Sequence, residues 1–176
     1  MKEKLKQIVY TLFWKIRRPG IRTTGLHLIR PGTEINLSDS GKLCVGRHVS
    51  THKRVALSVP EGQMTIGDYT FFNRNCIAVC HKEITIGKHC AFGPNVVIYD
   101  HDHKYGIQGI MTNEFKSSPI TIEDNCWIGA NVTILKGSHI GQGCVIGAGS
   151  IVSGTVPPHS LVKNNREIVI KPIEER

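Results

Sequence analysis

From Ile122 onward an aliphatic side chain returns every six residues, at Ile122, Ile128, Ile134, Ile140, Ile146 and Val152, and nothing else in this 176-residue chain restricts its fold so tightly. Glycine follows the aliphatic at Gly129, Gly141 and Gly147, and a small residue stands four places after it at Cys126, Val132, Ser138, Cys144, Ser150 and Val156. A period of six fits neither an α-helix nor a lone strand. It fits a short strand followed by a bend, because β-branched residues favour strands and glycine tolerates the bend. Three such units close one triangular turn.

The pattern runs upstream through Ile86-Gly-Lys-His-Cys-Ala, Phe92-Gly-Pro-Asn-Val-Val and Ile98, and through Ile66-Gly-Asp-Tyr-Thr-Phe and Phe72-Asn-Arg-Asn-Cys-Ile, with a weaker stretch starting at Val45. Unit starts at 45, 66, 86, 122 and 140 imply a basic coil of 18 residues with corner insertions. Stacked coils place parallel strands about 4.8 Å apart and bury the aliphatic ladder. A chain of this length makes one domain, and its 18 glycines with few aromatics suit dense turns.

The net charge of +8 is concentrated at the N-terminus: residues 1–30 hold eight basic side chains against Glu3, and the rest of the chain is almost balanced. Leu5, Ile8, Val9, Leu12, Phe13 and Ile16 recur at helical spacing among these charges, which predicts a basic amphipathic helix over residues 1–20. It caps the domain or lies on an anionic membrane surface. Lys15, Arg17 and Arg18 close the segment where a signal peptide would need a small-residue cleavage site, so a cytoplasmic protein is expected, at the inner face of the membrane. There is no zinc-finger spacing and no aromatic ribonucleoprotein motif, so nucleic acid is not an expected partner. Six cysteines occur without a CxxC; Cys76, Cys90, Cys126 and Cys144 hold the small position of their hexads and read as reduced, structural residues.

The period fails between Ile98 and Ile122, where the chain reads YDHDHKYGIQGIMTNEFKSSP. Residues 99–119 are expected to form an outward loop, with 21–157 as the prism and 158–176 as a tail. Long insertions of this kind in a compact domain are usually functional. His101 and His103 stand two apart, so an extended segment projects both to one side and Asp100 and Asp102 to the other. An imidazole, with an ordinary pKa of about 6.5, can take a proton from a hydroxyl near neutral pH, and either histidine could serve.

In its hexads and in this insertion the chain resembles the hexapeptide-repeat acyltransferases, specifically the galactoside, maltose and surface-polysaccharide O-acetyltransferase group, over roughly residues 60–157. The resemblance implies an all-β, left-handed parallel β-helix, an exception to the usual right-handed crossover. It also implies a homotrimer with sites between prisms and an acetyl group passing from acetyl-CoA to a carbohydrate hydroxyl, with no metal. The family's catalytic histidine lies sixteen residues before the Pro-Ile-Thr-Ile that restarts the coil, which selects His103. An acidic neighbour or a backbone carbonyl must fix its tautomer, and Asp100 or Asp102 could do so.

By the same resemblance Asn73 and Trp127 are expected at the acceptor, and Asp100, His101 and Asp102 are expected there from their place beside His103 in the insertion. Gly129, Ala130, Lys136, Ala148, Ser153, Lys163, Arg166 and Lys171 are expected along the CoA moiety, although Val162-Lys-Asn-Asn-Arg-Glu replaces the family's Gly-Asn-Pro-Ala-Lys-like tail. Other readings are an antibiotic-acetylating relative, a γ-carbonic-anhydrase-like zinc enzyme using His81, His101 and His103, and a non-catalytic scaffold.

Overall fold

The computed structural model describes residues 20–38 and 40–164. The amphipathic helix expected over residues 1–20 therefore lies outside the described residues but for Gly20, as do Arg166 and Lys171. Within the described residues the chain winds as a three-faced parallel β-solenoid, with seven strands on the first face and six on each of the other two. Among the described residues no helix is long and apolar enough to cross a membrane.

The register follows the six-residue period. On the first face Val45 pairs Ile66, Ile66 pairs Ile86, Ile86 pairs Ile122, Ile122 pairs Ile140, and Ile140 pairs Val156. These are the unit starts inferred from the sequence. Ile98, Ile134 and Val152 align on the third face, and Phe92, Ile128 and Ile146 on the second. All are buried in one continuous core, where the Phe72 and Phe92 rings stack at 4.6 Å. Each buried large aliphatic contributes roughly 1.5–3 kcal/mol relative to exposure. The solenoid reaches past the expected limit at residue 157, because Leu161–Val162 pairs with Val145–Ile146 as a further strand of the second face. The coil closes early there: four residues separate Val152 from Val156 where six had been the rule.

Many bends are made without glycine. The residue three places after the buried side chain takes φ near +60° at His48, Tyr69, His89 and Asn125 along one edge and at Asn75, Asn95 and Asn131 along the next, while Gly137, Gly143 and Gly149 take the same place in the later coils. Non-glycine residues resist this conformation, asparagine least. Side chains from successive coils offset the cost. Asn75 Nδ2 donates to Asn95 Oδ1 at 2.8 Å and Asn95 Nδ2 to Asn131 Oδ1 at 2.9 Å, while His48, Tyr69 and His89 stack at 4.9 and 5.0 Å.

Outside, the faces differ in chemistry. The second carries Phe71, Ala91, Trp127, Val145 and Leu161 in register, and the third carries Ala56, Ile77 and Val97 beside Val79, Tyr99 and Leu135. The first carries Thr65, Thr85, Thr121, His139 and Thr155. The third also carries Glu34, Asn36, Ser58 and Thr133, so the second outer face is mainly apolar, the third is apolar chiefly over its middle coils, and the first is polar.

All six cysteines are free thiols, and only Cys44 is not buried. Burial pushes the Cys76 thiol up to about 11 and, with the nearby Asp100 charge, Cys80 to about 12. Its hydrogen bond to the Cys126 sulfur, together with burial, pushes Cys90 up as well. The same contact with Cys90 lowers Cys126 to about 7, but that sulfur is buried, and a thiolate reacts only where a reagent can reach it. A disulfide reagent at mildly alkaline pH is therefore expected to modify Cys44 quickly in the native protein and the other five only on unfolding, which timed mass spectrometry would check.

Candidate active site

The insertion is not an irregular loop. Residues His101–Gly106 and Gly109–Ser117 form an antiparallel hairpin at the edge between the third and first faces, with an irregularity between His103 and Lys104. The sequence hides this because both sides of the hairpin face solvent, so no apolar alternation marks its strands. Its far end exposes Tyr105, Ile107 and Ile110.

Asp100 fastens the hairpin to the prism. Its carboxylate is fully buried and accepts the backbone N–H groups of His81, Lys82 and Glu83 at 2.7–3.1 Å. It also bonds Nδ1 of His101 at 3.1 Å. Expected at the acceptor, Asp100 is instead an internal anchor: a carboxylate that satisfies three amides of the preceding coil has no surface left for a ligand. His101 is held with it. Its ring lies 4.1 Å from that of His81 and 5.2 Å from that of Phe115, and the His81 Nδ1 reaches Glu61 Oε1 at 2.9 Å.

His103 is placed differently. It is exposed, its ring packs at 4.8 Å on Phe115 opposite it in the hairpin, and it stands where two clefts meet. One cleft, of about 570 Å³, is lined by Tyr99, His101, Asp102, His103, Tyr105 and Ile110. The other, of about 370 Å³, is lined by Asp102, His103, Lys104, Tyr105, Met111, Lys116 and Lys136. Neither neighbouring carboxylate serves it: Asp100 holds His101, and Asp102 forms a 2.6 Å ion pair with Lys136. The expectation that one of them fixes the His103 tautomer is therefore corrected, and Phe115 is the group that restricts this ring.

The remaining expected residues scatter. Trp127 is 59 % exposed on the outside of the second face, consistent with a side chain excluded from the filled prism. Asn73 lies at the edge between the second and third faces, where its Oδ1 accepts the Arg74 N–H at 2.8 Å. Within one chain neither belongs to the edge that carries the hairpin. Lys136, expected at the phosphates of CoA, instead pairs with Asp102 beside His103.

Gly129 offers no free amide either, since its N–H donates to the Ile146 carbonyl at 2.7 Å, and the Ala130 carbonyl accepts the Gly149 N–H at 2.8 Å. A Cβ on Gly129 would fall 2.7 Å from the Ala148 backbone nitrogen, so glycine there answers to the next coil. Ala148 adjoins this tight corner, Ser153 follows the last strand of the third face, and Lys163 follows the last strand of the second. Sequence reasoning missed Phe115, Lys116 and Glu61. The 20-residue step from Glu61 to His81 and on to His101, one coil each time, was the available signal. Among the described residues no three His, Cys, Asp or Glu side chains converge to hold a metal ion, those of His81, His101 and His103 included.

The family model for the hexapeptide repeat of succinyl-transferase matches residues 119–153. A Mycobacterium tuberculosis protein described as a probable acetyltransferase is 29 % identical over 168 residues, which are 91 % of this chain and 54 % of that protein. The chain resembles the hexapeptide-repeat acetyltransferases. Among hexapeptide-repeat acetyltransferases of known structure, one from Vibrio cholerae complexed with acetyl coenzyme A has 27 % identity and a TM-score of 0.58, covering 91 % of this chain and 77 % of its own. A maltose O-acetyltransferase from Clostridium difficile has 29 % identity and a TM-score of 0.59, covering 97 % and 88 %. This chain spans between about half and two thirds of the length of the first curated relatives it matches.

Proposed function

We propose that the protein is an acetyl-CoA-dependent O-acetyltransferase acting on a sugar hydroxyl, with His103 as general base. One observation carries the reading: an exposed imidazole stands at the junction of two clefts, on a hairpin anchored by a buried carboxylate. One cleft can take the thioester and the other the acceptor. His103 accepts the hydroxyl proton as the oxygen attacks the thioester carbonyl; the new C–O bond forms, the C–S bond breaks, and the imidazolium returns the proton to the departing sulfur. No covalent acyl-enzyme is required. Incubation with acetyl-CoA and a panel of sugars, read by mass spectrometry, tests this. An acetylated sugar with release of CoA is expected, and failure of every sugar hydroxyl to accept acetyl would overturn it.

The prism is taken as left-handed, and the working form as a homotrimer that packs an apolar second face of one copy on the apolar middle coils of the third face of the next. Such packing leaves the threonine-lined first face in water, and it brings the hairpin edge of one copy beside the second face, with Trp127, of its neighbour. Val97→Lys, which places a charge outside the third face, is expected to convert three-copy particles to single chains in sedimentation experiments at micromolar concentration. A surface-polysaccharide precursor, capsular or lipopolysaccharide, made at the inner face of the membrane is the acceptor favoured by the basic N-terminal segment.

A further inference from the structure

We propose that the acceptor carries an anionic group, a phosphate or a carboxylate, bound by Lys116 in the groove beside His103; this rests on the transferase reading above. The two clefts that share His103 differ in charge. Both include Asp102 and Tyr105; one adds Tyr99 and Ile110, whereas the other adds Lys104, Lys116 and Lys136. Two of those ammonium groups are committed: Lys136 to Asp102 at 2.6 Å and Lys104 to Glu114 at 2.9 Å. Lys116 is exposed and has no ion-pair partner among the described residues. It lies opposite Asp102 in the hairpin, one register position from the His103–Phe115 pair. Lys116 and His103 line the same groove.

Distance decides which reactant brings the negative charge. The attacking hydroxyl must come within about 3 Å of the base, and the thioester carbon within about 3 Å of that hydroxyl. The phosphates of CoA lie at the far end of the pantetheine arm, roughly 14 Å away by the reach of an extended chain of that length. The opposing strands of a hairpin are only about 5 Å apart. An anion at Lys116 therefore belongs to the molecule whose hydroxyl meets His103, and it sits within about one sugar residue of that hydroxyl. The thioester arm takes the less charged, aromatic cleft.

Binding of glucose, glucuronic acid and glucose 1-phosphate to the full-length protein at low salt, measured by calorimetry for the wild type, Lys116→Ala and Lys116→Glu, tests the site. Exposed ion pairs are weak, so a preference of roughly 3- to 10-fold for the charged sugars is expected, abolished by Lys116→Ala, inverted by Lys116→Glu and erased at about 1 M salt. Whether glucuronic acid or glucose 1-phosphate binds better separates a carboxylate from a phosphate acceptor. Affinities for acetyl-CoA and for acetylpantetheine should not change. Equal binding of neutral and charged sugars by the wild type, or a Lys116→Glu effect confined to acetyl-CoA, would overturn the proposal. A Lys116-dependent charge preference with no acetylation of any sugar would sink the transferase reading and leave the anion site standing. Acetylation of glucose as efficient as that of its charged counterparts would do the reverse.

Discussion

Replacing His103 with alanine is expected to lower kcat for acetyl transfer by roughly 10²- to 10⁴-fold, the usual contribution of a positioned general base. The KM for acetyl-CoA should change little, because the imidazole acts on the hydroxyl. Stability should barely move, since this side chain is exposed and meets only Phe115 and the edge of the His101 ring at 6.5 Å. The informative control is His101→Ala. That ring is packed among His81, Phe115 and the Asp100 carboxylate, so its removal should lower the unfolding midpoint as well as activity. Steady-state kinetics and thermal unfolding on both variants separate the roles. A His103→Ala enzyme with unchanged kcat would transfer the role of base to another group.

Asp100→Ala should be the most destabilising single change in the hairpin. It leaves the N–H groups of His81, Lys82 and Glu83 without their acceptor and frees the His101 ring. An unsatisfied buried amide costs about 1–3 kcal/mol, so a loss on the order of 3–5 kcal/mol is expected, lowering the unfolding midpoint by roughly 10 °C. Asp100→Asn keeps the size and one acceptor oxygen, and should recover part of this. Hydrogen exchange gives the sharper readout: amides 81–83 should exchange faster in the alanine variant, while those of the Ile128 strand keep their protection. Unchanged protection at 81–83 would show that the carboxylate does not anchor the hairpin.

The coil starts were legible because burial imposes the period directly. Val45, Ile66, Ile86, Ile122 and Ile140 must each fall on the one above for the interior to close, so the pairing can be counted in the sequence. The hairpin was legible only as an interruption, since strands wet on both sides follow no apolar alternation. The histidine pair stood out, but the division of labour between Asp100 and Asp102 did not. One is buried beneath three amides and the other pairs with Lys136 across an edge, and both contacts join residues far apart in the chain. The corner asparagines could have been found, because Asn75, Asn95 and Asn131 each follow the aliphatic of their hexad by three.

The register of this solenoid limits how such a chain can change in length. Removing or adding one residue within a strand would turn every following side chain inside out and misalign the stacked rings and amides at the bends. A duplication of one whole revolution keeps every ladder aligned, and so does an excursion pushed outward at an edge, as between Ile98 and Ile122. Growth by complete turns can extend the walls of the molecule without disturbing its chemistry, and growth at a bend can supply new chemistry without disturbing the walls.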